Sequence, residues 1–147
     1  MRLTLTPVMP AAVLALAGQL WAGGFFFETG DPEASPEARK LHAVLTIKPA
    51  GCHDPAAVKV TATAIGMVDG LRREIPLKLD ALGEPGMVAL SQQWPQAGRW
   101  VLHLVATDAT GYTNSLLVAG PSGVDRVHQR ADNRPFTGAE IDAMLRP

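Results

Sequence analysis

The feature that most constrains this chain is the alternation of apolar and polar side chains between residues 41 and 119. Leu71, Ile75 and Leu77, for example, alternate with charged or polar neighbours, as in a strand with one buried face. Turns rich in glycine and proline interrupt the alternation about every ten residues. No segment of this region has the 3.6-residue period of a helix. The pattern predicts an all-β fold: a small antiparallel immunoglobulin-like β-sandwich with about six to seven strands.

The alternation also places the individual strands. We expect strands over residues 41–48, 58–65, 71–80, 88–94, 100–107 and 112–119. Pro76 cannot donate a hydrogen bond to a neighbouring strand, so its strand is expected at a sheet edge or beside a bulge. Residues 66–70 have glycine at both ends and are predicted to form a hairpin connection. The β-sandwich domain is accordingly assigned to residues 41–120.

The N-terminus has the layout of an export signal. Residues 3–27 contain no charged side chain, and Arg2 supplies positive charge ahead of them. We therefore interpret residues 1–22 as a signal peptide that is cleaved after Ala22, followed by an acidic linker over residues 23–40. In this interpretation the three phenylalanines at 25–27 are either the end of the signal or an exposed chain end.

An uncleaved anchor is the alternative interpretation of the same residues. A run of 25 uncharged residues is long enough to span a bilayer, although prolines and glycines interrupt it. Both interpretations place the domain outside the cytoplasm, because the positive flank stays inside. The sequence thus predicts a periplasmic or extracellular domain, anchored in the inner membrane if the segment is retained.

The C-terminal residues 121–147 differ from the alternating region. Residues 121–135 are polar and irregular, and we expect them to form a tail without strands. Thr137 and Glu140 have the spacing of a capping box, and they precede Ile141 and two further apolar residues. A short amphipathic helix is predicted there. So short a helix needs a surface, and we expect it to dock on the sandwich or to await a partner.

Composition excludes some classes of function. The chain has 13 Lys and Arg against 14 Asp and Glu, and this balance provides no basic surface for nucleic acid. Its single cysteine cannot form an internal disulfide. The membrane is an expected partner only if the N-terminal segment is uncleaved.

The stretch from Glu84 to Asp108 resembles a known class of exported domain. It contains a glycine–apolar element and then two tryptophans around a proline–glycine turn; the residues concerned are Pro85, Gly86, Trp94, Pro95, Gly98, Trp100, Val101 and Leu102. This arrangement is similar to a hairpin of the bacterial YtkA-like and FixH-like families. The resemblance implies an immunoglobulin-like fold, a role in periplasmic or membrane-linked assembly or in copper-related processes, and no enzymatic activity.

Cys52 and His53 are the candidate metal ligands. Thiolate and imidazole bind soft metals such as copper, and Asp54 is placed to orient the imidazole. A mononuclear site needs three or four ligands, so His42 or His103 would have to join them from the strands. The alternative is that Cys52 is a packing residue and the histidines are solvated.

No catalytic residue is predicted. Adjacent residues in an extended loop point to opposite sides, so Cys52 and His53 make a poor nucleophile–base pair. His103, Asp108 and Ser115 lie near one another in the sequence, but none of them is in a nucleophile-elbow motif. The sequence therefore favours a non-enzymatic exported binding or assembly module without a cofactor, whose partner is another envelope protein. A periplasmic copper-handling protein is the alternative.

Overall fold

The computed structural model describes residues 25–51, 54–109 and 111–147. The strands within these ranges are β1 (Phe26–Gly30), β2 (Ala43–Ala50), β3 (Lys59–Val68), β4 (Leu71–Leu77), β5 (Asp80–Ala81), β6 (Val88–Ser91), β7 (Trp100–Thr107), β8 (Tyr112–Gly120) and β9 (Gly123–Asp132). The helices are α1 (Pro36–Lys40) and α2 (Gly138–Leu145), with 3-10 turns at Pro32–Ala34 and Pro55–Ala57. None of the helices in the described ranges is long and apolar enough to cross a membrane.

The strands form two antiparallel sheets. One sheet has the order β1-β2-β6-β5 and the other the order β4-β3-β7-β8-β9. This is the immunoglobulin arrangement, with four strands in the first sheet and, in the second, an added strand at each edge of its three-stranded core. The predicted fold class is confirmed: the protein is a small antiparallel sandwich with a short C-terminal helix. The described residues contain nine strands, which is more than the six or seven that the alternation suggested.

The main core lies between the two sheets. Leu102 and Leu104 of β7 contribute to it from one sheet, and Leu45, Ile47 and Leu90 contribute from the other, all of them fully buried. Trp100 also belongs to this core and requires a glycine beside it. A Cβ atom on Gly66 of the neighbouring strand would lie only 2.5 Å from Cε3 of Trp100. Gly66 is therefore a strand residue rather than the start of the predicted connection, and β3 continues to Val68.

The predicted linker contains a strand of the sandwich. β1 pairs with the end of β2, with Phe26 opposite Ala50, and Phe27 is buried in the main core. The prediction that residues 23–40 form a linker is wrong for β1 and for α1. The strand was missed because its first two residues belong to the uncharged segment, so the phenylalanines were interpreted as the end of that segment.

The tail prediction is also wrong over β9. Residues 123–132 pair with β8 along the edge of the five-stranded sheet. The register shifts in the middle of this pairing, where residues 126–129 of β9 lie opposite residue 117 alone. Val127, within that bulge, is 88% exposed. The bulge breaks the period of two, and for this reason the sequence pattern did not reveal the strand.

The predicted hairpin between β6 and β7 does not form. β6 belongs to the four-stranded sheet and β7 to the five-stranded sheet, so the connection crosses from one sheet to the other. Gly98 adopts a positive φ of 88° in this connection, a conformation that glycine takes without strain. Trp94 and Trp100 are both buried in the core between the sheets, and Nε1 of Trp100 donates to the carbonyl oxygen of Ala97 at 3.1 Å. Both tryptophans are core residues, and they do not face each other across a hairpin.

Two further predictions are confirmed. β4, which contains Pro76, is an edge strand. The helix α2 begins with the predicted capping box, in which Thr137 and Glu140 each accept a hydrogen bond from the other's backbone N–H. α2 docks on the outer face of the five-stranded sheet, where Ile141 packs with Val101 and Leu116. We call residues 133–147, which run from the end of β9 through α2, the C-terminal strap.

Candidate functional site

The two principal metal candidates, Cys52 and His53, lie outside the described residues. The ends of their loop are described: β2 ends at Ala50, and Asp54 caps the 3-10 turn at Pro55–Ala57 by accepting from the backbone N–H of Ala56 at 3.0 Å. The Asp54 carboxylate thus has a structural contact with its own loop.

His42 lies at the other end of β2. It is exposed, has a φ of 50°, and immediately precedes the strand, whereas the loop of Cys52 follows the strand. The eight residues of β2 extend over about 23 Å at the usual rise of a strand. The structure therefore does not bring His42 to the Cys52 loop.

His103 lies on the outer face of the five-stranded sheet and is tied to a buried amide. Its Nε2 is 3.0 Å from Oδ1 of Asn114, which is fully buried. Nδ2 of Asn114 donates to the carbonyl oxygens of Asp132 and Arg134 at 2.8 and 2.7 Å. The amide oxygen therefore faces the imidazole, and Nε2 of His103 must carry the proton between them. Nδ1 is the imidazole nitrogen left for any other ligand.

Phe136 of the C-terminal strap covers the same imidazole. The two rings meet edge to face, with centroids 6.4 Å apart and an interplanar angle of 71°. Phe136 also lies beneath the guanidinium of Arg130, whose Cζ is 5.6 Å from the ring centroid. His103 therefore helps to dock the strap, which is a structural role that its position in a strand does not reveal.

The three residues considered for a hydrolytic triad do not converge. Ser115 is fully buried on the core side of β8, where its Oγ accepts from Nε2 of Gln129 at 3.0 Å. His103 projects from the opposite side of the sheet, next to Phe136. Asp108 accepts from the backbone N–H of Gly111 at 2.7 Å, within its own turn. The sheet thus separates the candidate base from the candidate nucleophile.

The described ionisable side chains are largely engaged in holding the fold. Arg72 pairs with Glu74 on its own strand and with Asp142 of α2, and Lys78 pairs with Asp80. The side chains of these pairs are 31–78% exposed, so the pairs lie on a solvated surface. Within the described ranges, no three His, Cys, Asp or Glu side chains are grouped closely enough to hold a metal ion.

The most heavily paired acid belongs to the C-terminal strap. Glu140 receives two hydrogen bonds from the Arg134 guanidinium, at 2.8 and 3.0 Å, and one from the backbone N–H of Thr137. The Arg134 hydrogen bonds, reinforced by Thr137, lower the pKa of Glu140 to about 2. Asn114 thus fastens the loop of the strap to the sheet, and the Arg134–Glu140 pair joins that loop to the start of α2 within the strap.

Sequence reasoning missed Asn114. It lies in the middle of a strand where every residue from Thr113 to Leu117 is buried. A buried amide without partners is costly, so an asparagine within such a run indicates that backbone groups approach it from elsewhere. That signal was present in the sequence, but the partners at Asp132 and Arg134 were not predictable without the path of the strap.

The exposed apolar surface is concentrated at a few positions. Met67 is 51% exposed and Leu71 60%, at the two ends of the β3–β4 turn. That turn is tight and ordered, with positive φ values of 52° at Asp69 and 74° at Gly70, as in the two-residue hairpins that favour Asp-Gly. The other large exposed apolar side chains of the described residues are Phe26, Leu41 and Val127.

Comparisons of the chain with protein-family models, with curated proteins and with solved structures return no match.

Proposed function

We propose that this protein is a non-enzymatic exported binding or assembly module whose partner is another envelope protein. The immunoglobulin-like sandwich supports the proposal, because this architecture presents loops and hairpins at its two ends. The engagement of His103, Asn114 and the strap in the protein's own structure also favours binding over catalysis. A relationship to the YtkA-like and FixH-like families would agree with this function and remains a prediction.

The observation that carries the proposal is the apolar tip of the β3–β4 hairpin. Leu71 belongs to the core-facing side of β4, yet the facing sheet ends in β5, a strand of two residues, and Leu71 is left 60% exposed. Met67 is exposed on the other side of the same hairpin. Two large apolar side chains thus project from opposite faces of one ordered turn, so a partner that contacts both would enclose the tip. We call residues 67–71 the hairpin tip.

The C-terminal helix, by contrast, uses its apolar face within the protein. Its apolar residue Ile141 is buried against the protein's own sheet. Truncation at residue 121 would also remove β9, an integral strand, so that deletion is not a clean test of binding.

The test is photo-crosslinking in intact cells that export the full chain. A photoreactive amino acid replaces Leu71 in one variant and Val127 in a matched control, which is 88% exposed and lies on a different edge. We expect a discrete adduct with an envelope protein at position 71 and none at position 127. The same adduct at both positions, or none at position 71, would overturn the assignment of the hairpin tip.

Point substitutions provide a second readout. We expect Met67→Gln and Leu71→Gln together to abolish an adduct formed from a photoreactive group at Arg73, which is exposed on the same strand. Because the substituted side chains are largely solvent-exposed, the stability of the domain should change little. An undiminished adduct in the double variant would show that these side chains do not contribute to the contact.

The copper-handling alternative rests on Cys52 and His53. The two further histidines considered do not reach this loop, since His42 is at the far end of β2 and His103 lies in the middle of β7 on the outer face of its sheet. Copper titration of the wild type and of Cys52→Ser separates this alternative from the binding module. A wild-type affinity no tighter than micromolar would exclude it.

A further inference from the structure

The outer edge of β4 has unpaired backbone groups beside the hairpin tip. β4 is an edge strand, and it pairs with β3 across the two-residue turn at Asp69 and Gly70. In such a hairpin the residues that flank the turn share both hydrogen bonds, and the pairing then alternates along the strands. The backbone N–H and C=O groups of Arg72 and Glu74 therefore point away from β3. Within the described ranges, no hydrogen bond reaches these groups.

The rest of the same edge is closed by the protein itself. The next residue whose backbone points outward is Pro76, which has no N–H to donate. At Lys78 the side chain of Gln93 occupies the position of a neighbouring strand. Its Oε1 accepts from the backbone N–H of Lys78 at 2.9 Å, and its Nε2 donates to the carbonyl oxygen of the same residue at 2.8 Å. Only residues 72–74 of this edge are left unpaired in the described structure, and we call them the open edge.

The middle residue of the open edge carries an unpaired charge. Arg73 is on the core-facing side of β4, between Leu71 and Ile75. It is exposed, and within the described ranges it forms no ion pair. An inward-pointing charge on an edge strand discourages pairing with an apolar strand, because the charge would lose water without gaining a partner. A strand with a carboxylate opposite Arg73 avoids this cost and adds a favourable cross-strand pair.

A second copy of the protein does not suit the open edge. Two copies of β4 related by a two-fold axis would pair antiparallel, with one residue opposite itself at the centre. A centre at residue 72 or 73 sets two arginines opposite each other, and a centre at residue 74 sets two glutamates opposite each other. Like charges directly opposite destabilise a strand pair. A centre further along the strand brings Pro76 into the ladder, where it cannot donate.

We propose that a segment of the envelope partner adds to β4 as an antiparallel strand, with a carboxylate side chain opposite Arg73. The backbone of the segment bonds to the outward groups of Arg72 and Glu74. Its side chains alternate, with apolar ones beside Leu71 and Ile75 and the acidic one between them. In this mode of recognition the main-chain hydrogen bonds provide affinity and the side chains provide specificity. This inference rests on the proposed binding function and names the chemistry of the partner segment.

Binding of synthetic peptides to the purified full chain tests the charge requirement. One labelled peptide alternates valine and threonine around a central glutamate, and the control peptide has lysine in place of that glutamate. In fluorescence polarisation we expect the glutamate peptide to bind at submillimolar concentration and the lysine peptide to bind about five-fold more weakly. Arg73→Glu should reverse this preference, which a purely structural effect of the substitution would not do.

A second pair of variants tests the backbone contact. Glu74→Pro removes an outward N–H but leaves the pairing with β3 in place, because that group does not face β3. We expect the glutamate peptide to bind this variant about ten-fold more weakly, the effect of losing one hydrogen bond. Glu74→Gln keeps the N–H and should bind the peptide nearly as tightly as the wild type. If Glu74→Pro does not fold, the reversal at Arg73 still decides the question.

The remaining outcomes separate this inference from the proposed function. No binding of either peptide, equal binding of the two peptides, or undiminished binding to folded Glu74→Pro would each overturn strand addition. An adduct at Leu71 in cells would then show that the partner binds the hairpin tip in another way. Peptide binding with the expected preference but without an adduct at Leu71 would support strand addition and contradict the proposed envelope partner.

Discussion

Asn114 offers the sharpest test of how the C-terminal strap is held. Its side chain is fully buried and makes three hydrogen bonds, to the carbonyl oxygens of Asp132 and Arg134 and to Nε2 of His103, at 2.7 to 3.0 Å. Asn114→Ala removes all three and leaves their partners facing a small cavity. A lost hydrogen bond costs about 1 kcal/mol net, and more where a buried group is left unpaired. We expect the free energy of unfolding to fall by about 3 kcal/mol.

The measurement is urea denaturation, followed by the fluorescence of the buried tryptophans. A loss of about 3 kcal/mol is a large part of the roughly 5–15 kcal/mol that stabilises a typical domain, so the midpoint should shift clearly. Asn133→Ala is the matched control, since Asn133 lies in the strap and is exposed. We expect it to change the free energy of unfolding by less than about 0.5 kcal/mol.

A second substitution separates the contribution of the Asn114 Nδ2 donors to stability from that of its Oδ1 acceptor. Asn114→Asp preserves the shape and the acceptor for His103, but it places carboxylate oxygens against the two carbonyl oxygens. It should destabilise the protein at least as much as alanine at pH 7, and less as the pH falls and the carboxyl regains a proton. If Asn114→Ala and Asn133→Ala unfold at the same urea concentration, the amide does not hold the strap and the reasoning is wrong.

Two other predictions concern the strap and the core. The pKa of Glu140 in the folded protein is about 2, below the usual value of 4.5, so the stabilisation from its carboxylate is complete above pH 4.5 and is lost as the pH falls towards 2. Glu140→Gln should therefore reduce the fall in melting temperature between pH 5 and pH 2. An unchanged slope would contradict this. Gly66→Ala should lower the free energy of unfolding by about 2 kcal/mol, because the new methyl group would lie 2.5 Å from Trp100. Gly120→Ala is the control, since a methyl group there meets nothing within 4 Å. Equal melting temperatures for the two variants would contradict the close approach of Gly66 to Trp100.

The clearest of the strands that sequence analysis located share one property. In β3 and β7 the core-facing residues recur at every second position and are apolar: Val60, Ala62 and Ala64 in β3, and Trp100, Leu102, Leu104 and Ala106 in β7. Burial on one face imposes this period, so the pattern could be recognised without knowing the strand's neighbours. The capping box of α2 was equally visible, because it depends on residues three apart in the chain.

The elements that sequence analysis missed depend on distant partners. β9 has charged side chains and a bulge, and it is a strand because β8 pairs with it. The β6–β7 connection was assigned to a hairpin because Pro95 and Gly98 suit any reversal. Whether a reversal stays in one sheet or crosses to the other depends on which strands lie beside it. The path of the strap could not be predicted for the same reason, because Asn114 contacts carbonyl oxygens 18 and 20 positions away in the sequence.

The polar contact between β1 and β9 has a consequence for how this chain folds. Oγ1 of Thr29 donates to Oε1 of Gln129 at 2.7 Å, and Gln129 in turn donates to Ser115. Arg126 and Asp31 add an ion pair at 3.5 Å between the same two ends of the domain. Residues 100 positions apart thus close one side of the sandwich. Contacts between such distant residues slow folding, because the chain between them loses conformational entropy on closing into a loop before the stabilising contacts can form. β1 can pair with β2 early, but its contacts with β9 form only once the last strand is present, so a chain still emerging from the ribosome cannot complete its fold.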